Sequence, residues 1–179
     1  MPKINAEIVL GADFSNFSLI DVPRNGNCGI SAVLVASGIL EGKFPISNEG
    51  QLLFSDDQLE QVRNLRQQAA KCVLSLPNCV NENSTHLVDE RMTLNNGDFT
   101  FVSMAMQRPI VLVQPSATGD NPYTIISFSK DGNETKLTSD QTPEQLLAKN
   151  PETLFIYFNG INHYQALKQK DPSTCCPLQ

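Results

Sequence analysis

Asp21-Val22-Pro23-Arg24-Asn25-Gly26-Asn27-Cys28-Gly29-Ile30-Ser31-Ala32-Val33-Leu34-Val35-Ala36 changes character halfway along. Its first half carries Pro23, Asn25, Gly26 and Asn27, residues that bend a chain and tolerate positive φ. Its second half, from Ile30 to Ala36, is a run of small and apolar residues closed by Gly38. That run predicts a buried helix with Cys28 at or just before its first turn. A thiol therefore stands where a bent loop feeds the N-terminus of a core helix.

Upstream of this junction, the alternation in Glu7-Ile8-Val9-Leu10 predicts a short strand, followed by a polar loop to Ser18. Downstream, Ser55-Asp56-Asp57-Gln58 is a capping box whose two acids suit a helix N-terminus. Leu59, Val62, Leu65, Ala69, Cys72, Val73 and Leu76 recur at steps of three and four, predicting a helix over Asp56 to Leu76 that Pro77 stops. Residues 78–90, with His86, read as a polar loop. Phe101, Val102, Ala105 and Met106 predict a short helix capped by Asp98 and closed by Pro109. Ile110-Val111-Leu112-Val113 predicts a strand buried on both faces.

In the last third, Tyr123 to Ser129 and Glu134 to Leu137 flank Asp131-Gly132, a hairpin signal. Thr142-Pro143-Glu144-Gln145 is a second capping box, opening a helix to Lys149. Leu154 to Phe158, Asn159-Gly160 and His163 to Leu167 predict strand, tight turn and strand. Helices lead and strands follow, which favours an α+β fold with a small mixed or antiparallel sheet flanked by helices.

Length and charge narrow the function. The chain has 179 residues, enough for one domain, read as 1–170 with a tail at 171–179. Thirteen Lys plus Arg against nineteen Asp plus Glu give a net charge of −6. With no basic cluster, nucleic acid is a poor partner for this field, and a cationic or neutral one suits it better. No apolar run reaches the ~18 residues of a spanning helix. The first residues lack the apolar stretch of a signal peptide, so the sequons at Asn16, Asn83 and Asn133 are expected to be idle. Five cysteines without a CxxC pair, and only two histidines, argue against a disulfide framework and a zinc site. Chemistry must then come from a free thiol, a hydroxyl or a carboxylate.

Cys28 is the first candidate. A thiol near the positive end of a helix dipole is favoured as thiolate, and the loop before it aims backbone N–H groups into one region, as an oxyanion hole requires. Gly26 and Gly29 would leave room for a substrate backbone. A buried structural cysteine is the competing explanation. His163, after an Asn-Gly turn at the start of a predicted strand, supplies the general base that such a thiol needs. His86 reads as a solvated loop residue.

Here the sequence resembles the ovarian tumour (OTU) family of cysteine proteases, whose members mostly cleave ubiquitin from substrates. Asp21-Val22-Pro23-Arg24-Asn25-Gly26-Asn27-Cys28 is similar to the family's nucleophile loop. Asn96-Gly97-Asp98 through Ala105, with Arg108-Pro109-Ile110-Val111-Leu112-Val113, resembles its middle helix and following strand. Ile161-Asn162-His163-Tyr164 resembles its histidine motif. The matches run in the family's order over about residues 21 to 167. There are departures. Asn25 stands where the family usually has aspartate, Gly29-Ile30 where it often has Leu-Phe, and Gln165 where many members carry a third catalytic Asp or Asn.

The resemblance implies a papain-like, OTU-type fold and a deubiquitinase acting on ubiquitin or polyubiquitin. It implies Cys28 as nucleophile and His163 as base, with no metal or cofactor. Glutamine at 165 brings no charge to an imidazolium, so Asp21 is the better third residue, an upstream position that resembles OTU-like effectors of intracellular bacteria. A turn aspartate is the bland alternative for Asp21. Asn25, Gly26 and Asn27 would support the oxyanion loop, and Gln165 would be secondary. A cytoplasmic monomer is expected, in the host cytosol if the protein is a secreted effector.

Three other readings compete. A papain-like peptidase would place glutamine in the stretch where Val22 stands. A ubiquitin-binding module that kept the fold but lost activity would account for Asn25 and Gln165. A plain scaffold would leave Cys28 and His163 as coincidence. At the end of the chain, Cys176-Pro177-Leu178-Gln179 has the form of a C-a-a-X box, with Cys175 open to a second acyl chain; so short a motif favours an unmodified tail over a lipid anchor.

Overall fold

A computed structural model describes residues 4–75, 87, 89, 91–116, 123–137 and 141–170. His86, the sequon at Asn83, Cys79 and the tail with Cys175 and Cys176 lie outside the described residues. The elements in chain order are β1 (Ile4–Asn5), α1 (Ala6–Leu10), a 3₁₀ turn (Ala12–Phe14), β2 (Phe17–Ile20), α2 (Cys28–Ser37), α3 (Asp56–Leu74) and α4 (Asp98–Met106). They continue as β3 (Ile110–Pro115), β4 (Tyr123–Phe128), β5 (Glu134–Leu137), α5 (Pro143–Lys149), β6 (Leu154–Phe158) and β7 (Tyr164–Gln169).

All strands join one seven-stranded sheet in the order β1-β2-β7-β6-β3-β4-β5. The sheet is mixed: β3 and β6 pair in parallel, with Val111 opposite Phe155, and the other neighbours are antiparallel. The β3–β6 pair sits mid-sheet with both faces covered, as the continuous apolar run at Ile110–Val113 requires. On one face, α2, α3 and α4 pack over Ile110, Leu112, Ile156 and Ala166. On the other, α1, the 3₁₀ turn and α5 cover Val111, Val113, Phe155 and Leu167. Helix α2 is buried along Cys28 to Val35, so its all-round apolar sequence is the mark of a central helix. It lies across β6 and β7.

Both capping boxes form: Ser55 with Gln58, and Thr142 with Gln145, each exchanging side-chain and backbone bonds. The hairpin at Asp131-Gly132 closes with Gly132 at φ +86°, a conformation suited to glycine.

Several expectations are corrected. Residues 7–10 are helical, not a strand: the Asn5 side chain caps Glu7 N–H, and Ala6 and Leu10, four apart, are buried while Ile8 and Val9 face outward. The polar loop expected up to Ser18 instead holds β2, whose four residues are all buried. Flanked on both sides by strands and covered on both faces, β2 lacks the alternation that marks a half-exposed strand. Helix α3 ends at Leu74, short of the expected Leu76. Gly97, not Asp98, is the N-cap of α4; the Asp98 carboxylate instead accepts the Asn95 N–H at 2.7 Å.

Phe155, from the parallel pair, stacks against Phe17 at 5.3 Å between ring centroids and is 2 % exposed. Phe155→Ala is expected to destabilise the domain by about 3–5 kcal/mol through lost burial and a residual cavity. Urea unfolding checks this; a loss below about 1 kcal/mol contradicts the described packing.

Candidate active site

Three separate elements bring the site together. Strand β2 ends at Ile20 and delivers Asp21. The bent loop delivers Cys28 as the first residue of α2, and the β6–β7 connection delivers His163. That connection runs one residue further than expected, because β7 begins at Tyr164 and not at His163. The Asn159 side chain accepts the N–H groups of Ile161, Asn162 and His163, each at 3.0 Å, and Asn159 N–H donates to the His163 carbonyl. Gly160 takes φ +81° within it. His163 is thus held immediately before β7 by a loop organised on one asparagine.

His163 Nε2 donates to Asp21 Oδ1 at 2.6 Å. With that nitrogen carrying the proton, the neutral imidazole has its lone pair on the buried Nδ1, free of Asp21. Cys28 is the polar neighbour that acts on the ring. Both residues are almost fully buried, Cys28 at 1 % and His163 at 2 % exposure. Burial, the largest single influence on His163, disfavours the imidazolium. Hydrogen bonding to Asp21 and to Cys28, together with the charges of both, outweighs it and raises the pKa above 6.5. For Asp21, burial pushes upward most strongly, but the His163 hydrogen bond and charge, with Arg24 and the Val22 N–H, carry the net shift below 3.8. Arg24 stands 4.0 Å from Asp21 on the open side.

The secondary candidates fall around this core. Gln165 donates through Nε2 to Asp21 Oδ1 at 3.4 Å, so it supports the acid and does not touch the imidazole. Asn25 shapes the loop: its Oδ1 accepts Asn27 N–H at 2.9 Å and its carbonyl accepts Cys28 N–H at 3.1 Å. Either Asp or Asn can make this side-chain turn, so the departure at 25 costs the loop nothing in geometry. Gly26 is half-buried in the same turn. Gly29 does not give room to a substrate, as its position suggested. A Cβ there would meet Phe99 Cζ at 3.2 Å and Leu94 Cδ1 at 3.3 Å, so the missing side chain lets α2 sit against the core.

A groove of about 660 Å³ runs beside His163, lined by residues 93–97, Phe158, Ile161, Asn162 and Tyr164. Tyr164 OH donates to the Leu94 carbonyl at 3.0 Å, tying one wall to the histidine strand. Ile161 stands 82 % exposed at its rim. Arg66 was not singled out from sequence, yet it is buried and bonded to the nucleophile loop through Asn27 Oδ1 at 2.8 Å and the Gly26 carbonyl. A signal existed: 66 lies four after Val62 and three before Ala69, on the apolar face of α3. Among the described residues no three His, Cys, Asp or Glu side chains gather to hold a metal, and no helix is long and apolar enough to cross a membrane.

A mixed sheet with a cysteine at the head of its central helix and a histidine just ahead of the strand beneath is an arrangement of the papain-like, OTU type of fold. Solved structures match it. An OTU deubiquitinase from Wolbachia pipientis wMel, bound to ubiquitin, superposes with a TM-score of 0.59 at 11% identity, covering 86% of this chain and 96% of that one. The Hazara virus OTU bound to ubiquitin gives 0.53 at 15%, covering 89% and 86%. The OTU protease of Taggert virus gives 0.51 at 12%, covering 94% and 85%. No protein-family model matches the sequence, and no curated protein matches it. The OTU resemblance is thus shown at the level of fold.

The two shifts act on stability in opposite pH ranges. Asp21's contribution is present above 3.8 and lost as pH falls through its lowered value. His163's is present below 6.5 and lost as pH rises through its raised value. Asp21→Asn removes the Asp21 charge and its charged hydrogen bond, leaving Cys28 to raise His163 against the burial that lowers it, so the imidazole pKa is expected to fall. Imidazole NMR titration is tractable with two histidines in the chain, His86 being assigned by His86→Gln. An unchanged His163 titration in Asp21→Asn contradicts the pairing.

Proposed function

We propose that this chain is a cysteine protease of the deubiquitinase type, hydrolysing isopeptide bonds after the terminal glycine of ubiquitin or polyubiquitin. The observation that carries the reading is the placing of one buried imidazole between an acid and a thiol: Asp21 holds Nε2 of His163 at 2.6 Å, and Cys28 interacts with the same ring.

In the proposed mechanism Nδ1 takes the proton of Cys28 Sγ, and Asp21 holds the ring and balances the imidazolium. The thiolate forms a bond to the carbonyl carbon of ubiquitin's terminal glycine. Negative charge moves to the carbonyl oxygen, where N–H groups of the Asn25–Cys28 loop meet it; the 3.1 Å turn bond from Cys28 N–H to Asn25 is weak enough to be exchanged for one to an oxyanion. As the intermediate collapses, the C–N bond breaks and His163 gives its proton to the leaving lysine amine. Water, deprotonated by His163, then attacks the thioester, and Cys28 departs as thiolate with ubiquitin's carboxylate released.

Support for ubiquitin as substrate comes from the fold, whose solved relatives include ubiquitin complexes, and from charge, since a chain of −6 suits ubiquitin's arginine-bearing tail. We place the catalytic unit at 1–170 as a monomer in the cytoplasm, of the host where the protein is a secreted effector. A catalytically silent ubiquitin-binding module is the second reading, motivated by Gln165. The Asn25 departure no longer favours it, because the loop turn forms with asparagine.

Turnover of ubiquitin carrying a C-terminal aminomethylcoumarin tests the proposal. Wild type is expected to release the fluorophore and Cys28→Ala to release none. Asp21→Ala should lower kcat/KM about 100-fold or more, and Gln165→Ala less than about tenfold, because Gln165 reaches the imidazole only through Asp21. Binding without turnover supports the silent module, and a Gln165 variant worse than the Asp21 one overturns the assignment of the acid.

A further inference from the structure

Helix α2 breaks a local rule at its first turn. Asn27 is its N-cap, and an asparagine there ordinarily turns its side-chain oxygen onto the N–H groups behind it, worth about 1 kcal/mol. Here it makes no such bond. Its Oδ1 accepts Arg66 Nε at 2.8 Å instead, and only its main-chain oxygen serves the helix, accepting Ser31 N–H and Oγ–H at 2.9 Å. Arg66 is 1 % exposed and 39 residues away in the chain. Its other nitrogens donate to the Gly26 carbonyl, to Leu87 O at 2.9 Å and to Met92 O at 2.9 Å. One guanidinium therefore grips two pieces of backbone: the turn that precedes Cys28, and the segment that runs into residues 93–97, a wall of the groove.

We infer that Arg66 is a positioning residue for catalysis, fixing the nucleophile loop against the groove wall so that its N–H groups face the developing oxyanion. This rests on the reading of the site as a cysteine protease. The fork geometry is what the role needs. A planar group with five donors in fixed directions can set the distance between two loops, whereas a lysine ammonium keeps the charge but cannot reproduce the angles. Displacing oxyanion donors by a fraction of an ångström slows the chemical step without altering how ubiquitin's body docks. Arg66 does not touch His163 or the sulfur, so simple alkylation of Cys28, which develops no oxyanion, is spared.

The test compares wild type with Arg66→Lys, Asn27→Ala and Asn27→Asp in the full chain, measuring kcat and KM on ubiquitin-aminomethylcoumarin and the rate of Cys28 alkylation by iodoacetamide. Arg66→Lys and Asn27→Ala are expected to lose about tenfold or more in kcat, with KM within about threefold and alkylation within about twofold. Asn27→Asp keeps the acceptor and should lose clearly less kcat than Asn27→Ala. If Arg66→Lys fails to fold, the two Asn27 variants decide. Unchanged kcat, equal losses in Asn27→Ala and Asn27→Asp, or alkylation falling in step with kcat overturns the inference. A wild type without turnover overturns the protease reading itself. Amide exchange then decides on Arg66: faster exchange confined to Asn27 and Cys28 in Asn27→Ala supports the clamp, and unaltered exchange overturns it.

Discussion

A carboxylate and an imidazole 142 residues apart meet at 2.6 Å, and every chemical property of the site follows from that contact. It exists because β2 and β7 are antiparallel neighbours with Ile20 opposite Ala166. Running that register on by one step sets Asp21 against Gln165, with His163 just outside the strand. Side chains alternate along a strand, so a slip of one residue would turn Asp21 to the other face. The two-sided burial of β2 and the aromatic packing of Phe17 on Phe155 hold the register, so the sheet interior sets the geometry of the candidate site.

The third participant arrives by a different route. Helix α2 lies across β6 and β7, and its N-terminal residue is Cys28, so its packing carries the thiol to the end of β7 where the histidine waits. Each polar group nearby has one task. Asn159 gathers three N–H groups to set the histidine, Asn25 folds the turn, and Gln165 steadies the acid. His163 itself interacts with Asp21 and Cys28.

Much of this was legible in the residues themselves. The capping boxes at Ser55 and Thr142, the Gly-closed apolar helix after Cys28 and the β-branched run at Ile110 carry strong local signals, and all became the expected elements. Cys28, His163 and Asp21 could be singled out because loop chemistry and a family resemblance both pointed at them. What failed did so where tertiary context outweighs local pattern. Glu7 to Leu10 is too short to separate alternation from a single helical turn, and β2 shows no alternation because neither face meets solvent. Gly29 looked like room for substrate and proved to be room for Phe99. Arg66 was passed over since charged residues are ordinarily solvated, and its partners, three backbone carbonyls and the Asn27 side chain, come to it only through the fold.

The most direct measurement is the intact mass and peptide map of the protein after reaction with ubiquitin bearing an electrophilic C-terminus. The chain holds five cysteines, so the site of attachment is itself informative. A single ubiquitin joined to Cys28, absent from Cys28→Ala and strongly slowed in His163→Ala, is the predicted outcome. No adduct, or one carried on another cysteine with Cys28 unmodified, contradicts the account.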